Sequence, residues 1–238
     1  MSLSEIFSNS IKYPLNDYKA FLVVGIIGLL ASLTTVLNQF SVDNSAVTII
    51  ASIISLIFTI ILAGYAVDVI KKGIGDSEDV PTLDLVANFI NGIKTIVISI
   101  VYEIIPLIII VILATVTGAI GAGLNHVGTA LLITVVVGLI LAILFGIFNI
   151  VAIARFAESG NLSDALSIGE VIEKAKSIGI FKIIAFIIIA IVIIFIVGII
   201  VGIIGLIPYI GLIIGTILSS GFIVLFYGKA TGLLYADA

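Results

Sequence analysis

Gly64–Pro106 reads GYAVDVIKKGIGDSEDVPTLDLVANFINGIKTIVISIVYEIIP, and its succession of apolar and polar blocks decides the fold. A long apolar run closes at Gly64-Tyr65. The most polar segment of the chain follows, from Lys71 to Asp84. An amphipathic helix is predicted next, and then a second apolar run. That run carries a carboxylate, Glu103, three residues before Pro106.

Composition sets the class. The chain has 238 residues, 62% hydrophobic and 10% charged, with a mean hydropathy of +1.46. A soluble domain carries roughly a quarter charged residues, enough to solvate its surface. This chain cannot do that, so it reads as a polytopic membrane protein with a single transmembrane domain, 1–238. Cysteine is absent, which removes disulfides and thiolate metal sites. Tryptophan is absent too, leaving Tyr and Phe to mark the membrane boundaries. The first apolar run begins near Ala20 with no basic segment before it, so no cleavable signal peptide is expected.

A spanning helix needs about 20 apolar residues. Six segments qualify, at about 20–40, 46–69, 94–116, 129–154, 181–206 and 209–232. The last two form one apolar run, GIIVGIIGLIPYIGLIIG at 198–215, which Pro208 must break by removing a ladder donor. A turn over Leu206–Ile210 follows. Three shorter amphipathic segments, about 3–13, 82–93 and 163–178, read as helices lying in the interface. The fold class is thus all-α, an integral membrane six-helix bundle with three interfacial helices.

The ten basic residues orient it. Lys12, Lys19, Lys71, Lys72, Lys94, Arg155, Lys174, Lys176, Lys182 and Lys229 all fall on one side of an alternating six-span path. The opposite loops, Ser41–Ser45, Thr117–Gly128 and Leu206–Ile210, contain none. Basic residues in short loops stay cytoplasmic, so both termini are expected in the cytoplasm of a multi-pass cell-membrane protein.

The chain also repeats itself. An offset of 87 residues sets GYAVDVIKKG over VAIARFAESG, Gly73 on Gly160 and Gly92 on Gly179. The stripe Leu83, Val86, Ile90 and Ile93, set against Asp84, Asn88 and Asn91, then meets the stripe Ile168, Val171, Ile172 and Ala175. Lys19, Lys94 and Lys182 each open a span, and Tyr65, Ala152 and Tyr227 each lie near the end of the next. Three copies of one unit are expected, each an interfacial helix, a span out and a span back.

At GYAVDVI, at VY-x-x-IP around Tyr102 and Pro106, and at AIARFAESGNL over Ala152–Leu162, the chain resembles a known family. It is similar to the mainly archaeal membrane proteins catalogued as domain of unknown function 4013. Tyr13-Pro14, Pro81 and the Ile-Pro-x-Ile-Gly turn of Ile207–Gly211 extend the resemblance over nearly the whole chain. It implies a six-helix membrane domain, no established activity, and no catalytic residues.

Glu103 is the sharpest candidate for chemistry. It lies nine residues beyond Lys94, about 13 Å along a helix and so near the centre of a roughly 30 Å core. A charged carboxylate there costs about 2.5 kcal/mol or more, so Glu103 must be protonated, paired or facing water. An ion or proton site and a structural hydrogen bond to Asn149 are the two readings. Tyr102, Ser99, Thr59 and Ser55 are the other polar candidates. Pro106 frees a carbonyl one turn earlier and is expected to kink the span. Gly198, Gly202, Gly211 and Gly215 form small-xxx-small pairs suited to close helix packing or to a second copy. His126, alone in a glycine-rich outer loop, is no metal site. The acidic run Asp76, Glu78, Asp79 and Asp84 does not follow a calcium-loop pattern and reads as a solvated loop.

No set of nucleophile, histidine and acid is present, so no enzyme, cofactor or metal is expected. Nucleic acid is not an expected partner; membrane lipids, a second copy or another membrane protein are. The expected function is a non-enzymatic integral membrane module, acting as scaffold, bilayer-organising element or assembly subunit. The alternative is a small permease or channel built on Glu103.

Overall fold

Capping side chains start α-helices in the first half of the chain. A computed structural model describes residues 1–42, 44–116, 128–208 and 210–237. Helix α1 (Leu3–Lys12) opens with a capping box. The Ser2 hydroxyl accepts from the Glu5 amide, and the Glu5 carboxylate accepts from the Ser2 amide. Those bonds, the Ser2 amide above all, hold the Glu5 carboxyl below its ordinary range. A short 3-10 turn, Tyr13–Leu15, follows. Asp17 caps α2 (Tyr18–Ala31), which leaves the direction of Leu3–Leu15 at 87°.

Helix α3 (Leu33–Gln39) continues beyond a break at Ser32. Asn44 caps α4 (Ser45–Ile74). Asp84 accepts from the amides of Val86 and Ala87 at the start of α5 (Leu85–Val116). Helix α6 (Thr129–Ser159) stops at Gly160, in the left-handed region at φ 75°. Two short helices, α7 (Leu162–Leu166) and α8 (Ile168–Ile178), lead through Gly179 to α9 (Ile180–Ile204) and, past the Pro208 turn, to α10 (Gly211–Ala236). No strand occurs among the described residues.

Five of these helices are long and apolar enough to cross a membrane: α4, α5, α6 from Leu131, α9 and α10. A sixth is added if the bent pair Leu3–Leu15 and Tyr18–Ala31 counts as one span. The protein is a multi-pass membrane protein.

Three elements differ from their sequence expectation, and one of them, the interfacial helix expected over 163–178, is two helices, α7 and α8, parted at Ser167. The segment 82–93 is not a separate interfacial helix before a span at 94; α5 runs unbroken from Leu85 to Val116. Its polar Asn88 is fully buried, while Val86, Ile90 and Ile93 face outward. Gly92 does not interrupt it because α4 lies directly against it. A Cβ at Gly92 would sit 1.9 Å from the Ile60 carbonyl oxygen, and one at Gly64 would sit 1.7 Å from that of Asn88. The first span, expected over 20–40, is divided at Ser32. The expected turn over Leu206–Ile210 does separate α9 from α10.

Helix α10 is the axis of the bundle. It touches α1, α2, α4, α6 and α9, and nearly every residue from Leu225 to Tyr235 is buried. Small residues permit this. A Cβ on Gly232 would meet the Ile70 oxygen at 2.3 Å, and one on Gly25 of α2 would meet the Ile217 oxygen at 2.4 Å. Around this axis one apolar core joins Ile6 and Phe7, Val67 and Ile70, Ile98 and Tyr102, Ile147 and Val151, Ile183 and Phe186, and Phe226. Phe7 stacks on Phe186 at 5.1 Å, which ties α1 to α9.

Candidate functional site

Helices α5 and α6 place Glu103 on an outer face. The inward stripe of α5 is Asn88, Gly92, Thr95, Ile98, Tyr102 and Pro106. Glu103 follows Tyr102 by one residue, about 100° round the helix, and is exposed on the flank next to α6. Asn149 Nδ2 donates to Glu103 Oε1 at 3.5 Å, and Ser99 Oγ donates to Asn149 Oδ1 at 3.4 Å. Both bonds are long. Glu103 opens onto a groove of about 330 Å³ whose other walls are Ile100, Ile104, Pro106, Leu107, Ile110 and Ala142.

The structure separates residues that the sequence groups. Tyr102 points inward and donates its hydroxyl to the Ala165 carbonyl at 2.8 Å, pinning α7 to α5. Ser55 accepts from the Thr34 amide and so serves the contact between α3 and α4, while Thr59 donates to the Ser55 carbonyl within α4. Gly211 and Gly215 lie against Ile204 and Val201 of α9; a Cβ added at Gly198 or Gly202 would meet nothing within 4 Å. Pro208 sits in the turn, and its carbonyl accepts from the Ile210 amide. His126 lies outside the described residues.

The acidic segment after α4 is the surprise. Its carboxylates are exposed as expected, yet its backbone is held down like a strap. Lys229 of α10 is fully buried and donates to Asp76 Oδ1 at 3.2 Å and to the Ser77 carbonyl at 3.0 Å, with Glu78 Oε1 at 4.0 Å. Its ammonium also lies 5.4 Å from the centre of the Tyr13 ring. Tyr13 donates to the Asp79 carbonyl, Tyr65 to the Pro81 carbonyl, and Asn16 to Glu78. Burial, with Glu78 and Asp79 nearby, pushes the Tyr13 hydroxyl well above the usual tyrosine range, so it stays a donor. Asn88 closes the strap by donating to Asp68 and accepting from the Asp84 amide.

Sequence reading takes Lys229 for a basic helix end. The signal that it is buried was present in its neighbours. Gly228, Ala230, Thr231 and Gly232 surround it with small side chains, which is a helix surface built for close approach.

A second polar knot ties α6 to the helices that follow. Arg155 donates to the Asp164 carbonyl and pairs with Glu170. Tyr235 donates to Glu158 at 2.6 Å. Lys182 pairs with Asp237, and it is mainly this bond that holds the Asp237 carboxyl below its ordinary range. Among the described residues no group of three or more His, Cys, Asp or Glu could hold a metal ion.

The segments so tied, from α4 to the Pro208 turn, correspond to the match of a family model described as "Protein of unknown function (DUF4013)", over residues 47–207. The chain belongs to this family. The DUF4013 match takes in the strap, the Glu103 groove and the Arg155 knot. It leaves α1 to α3 and all of α10 outside. No curated protein and no solved structure matches the chain.

Proposed function

We propose that this protein is a non-enzymatic membrane module that organises the bilayer or an assembly around its basic end. One observation carries the reading. Two rows of large apolar side chains stand exposed at the base of the bundle, beside an interior that is sealed by apolar packing. Ile11, Leu15 and Tyr18 form the first row and Val86, Ile90 and Ile93 the second. The 75-residue offset that sets Lys19 on Lys94 also sets each member of the first row on its counterpart in the second. Side chains so placed insert at the level of the lipid headgroups, with cations such as Lys12 and Lys19 beside them.

The same reading includes a three-unit architecture with both termini cytoplasmic. Its support is a recurring joint, in which the start of each unit docks on the end of the helix that closes the unit before. Asn88 meets Asp68 of α4, Glu170 meets Arg155 of α6, and Tyr13 meets Lys229 of α10. Asp68 and Arg155 are equivalent at the 87-residue offset. Because α1 lies on α10, the third joint closes the chain into a ring.

Glu103 favours this reading over permeation, since it opens sideways onto an apolar groove rather than into the core. The test is reconstitution in vesicles of phosphatidylcholine and phosphatidylglycerol. Wild type should slow lipid diffusion and leave ion and proton permeability at the protein-free level. Leu15→Asp with Ile90→Asp should abolish the effect on lipids. Flux that Glu103→Gln removes would overturn the proposal in favour of a permease.

A further inference from the structure

We propose that the groove between α5 and α6 at Glu103 binds a membrane-dissolved molecule carrying one ammonium group on an apolar body. The inference does not depend on the scaffold reading. The groove measures about 330 Å³, within the roughly 300–1,000 Å³ of small-molecule sites, which are apolar clefts with a few converging polar groups. Ile100, Ile104, Pro106, Leu107, Ile110 and Ala142 supply the apolar walls, and Glu103 is the one ionisable group on the lining.

Charge selects the class of ligand. No lysine or arginine lines the groove, and the ion pairs of the described residues are made by Met1, Arg155, Lys182 and Lys229 with other carboxylates. An anion is therefore repelled, and a neutral ligand leaves the carboxylate without a counter-charge between two long apolar helices. A cation supplies that charge. Asn149 positions the acid without satisfying it. A carboxylate offers about four acceptor sites, and Asn149 uses one of them at 3.5 Å. Ser99 turns the Asn149 amide by donating to its oxygen, so that the NH₂ faces Glu103. The open side of the groove faces the region where lipid chains lie, so the ligand arrives through the bilayer and must be apolar apart from its ammonium.

The experiment uses the full chain in phosphatidylcholine vesicles and dicyclohexylcarbodiimide, a reagent for carboxyls in apolar surroundings. Modification is read by mass spectrometry of the intact protein and its peptides. The probe is N,N-dimethyloctylamine, and its neutral counterpart is N,N-dimethyloctanamide. Glu103 should be labelled, Glu103→Gln should lose that label, and the amine at saturation should slow labelling about tenfold while the amide does not. Ala142→Leu fills the groove and keeps the acid, so it should retain labelling and lose the amine's protection. Absence of a Glu103 label in wild type would overturn the proposal. So would equal protection by amine and amide, or protection that survives in Ala142→Leu.

Discussion

Removing the positive end of the strap contact should be far less damaging than removing its negative end. Lys229 is fully buried, whereas the side chains of Asp76 and Glu78 are 62% and 67% exposed. Lys229→Met replaces the ammonium by an apolar chain of similar length. It loses two charge-assisted hydrogen bonds, each worth about 1.5–3 kcal/mol, and the contact with the Tyr13 ring. It also removes a desolvated charge; both carboxylates already reach water, and only the partly buried Ser77 carbonyl loses a donor. Exchanging a buried ionic group for an apolar one of similar volume is often close to neutral, so a net change within about 1 kcal/mol is expected.

Asp76→Asn with Glu78→Gln does the reverse. It leaves the Lys229 ammonium buried among neutral acceptors and one ring with no counter-charge, and an uncompensated buried charge costs about 3–5 kcal/mol. Asn is the substitution of choice at 76 because the residue sits at φ 48°, a region that Asn and Asp tolerate better than other side chains. Denaturant-induced unfolding in dodecylmaltoside, followed by circular dichroism, reads the global term. Hydrogen exchange over 75–84 reads the strap, which should lose protection in both variants. The triple variant should recover most of the stability lost by the double. Equal destabilisation by Lys229→Met and by the double variant, or no recovery in the triple, would refute the argument.

Three further outcomes follow from particular contacts. Gly64→Ala and Gly92→Ala place a Cβ below 2 Å from a backbone carbonyl of the facing helix, so α4 and α5 must part at a cost of about 1–3 kcal/mol or more. Gly198→Ala and Gly202→Ala meet nothing and should be neutral or slightly stabilising in the same unfolding assay. Tyr102→Phe orphans the Ala165 carbonyl and should cost about 1–3 kcal/mol, with faster hydrogen exchange over 162–166 as its local sign. Asp237 has a folded-state pKa below its unfolded value because of Lys182. Its contribution is therefore complete above the ordinary carboxylate value of about 4 and is lost as pH falls through the lower folded value. Protection factors at 180–184, which are corrected for the intrinsic pH dependence of exchange, should fall with acidification in wild type and lose that pH dependence in Asp237→Asn.

The membrane class and the turn at Pro208 were legible because they depend on local chemistry. Apolar length and a missing ladder donor act on their immediate neighbours. The inward direction of Asn88 was not legible, and the burial of Lys229 was signalled only by its small neighbours, because each depends on which helix lies opposite. A polar stripe on an amphipathic helix reads as the wet face unless the facing helix offers a partner, and Asp68 is that partner. Glu103 shows the converse. Its depth could be counted from Lys94, but only the position of Asn149 on α6 reveals that it faces sideways. Of the close-approach glycines, Gly64 and Gly92 stand in no GxxxG pair; the motif drew attention to Gly211 and Gly215, which lie against α9, and to Gly198 and Gly202, where an added Cβ would meet nothing.

The proposed repeat explains its own irregularity at one point. At the 87-residue offset Gly92 corresponds to Gly179, and Gly64 to Val151. In the first pair, two glycines let α4 and α5 touch backbone to backbone, and α5 passes through Gly92 as continuous helix. In the second, Val151 occupies the place of Gly64 and its branched side chain is buried in the core. A helix cannot come as near to it, and Gly179 takes φ 100°, which ends α8 and starts α9 in a new direction. The same unit thus gives one unbroken helix or two, according to whether its partner helix has a side chain at the crossing point. The break also keeps α6 and α9 from packing as closely as α4 and α5 do.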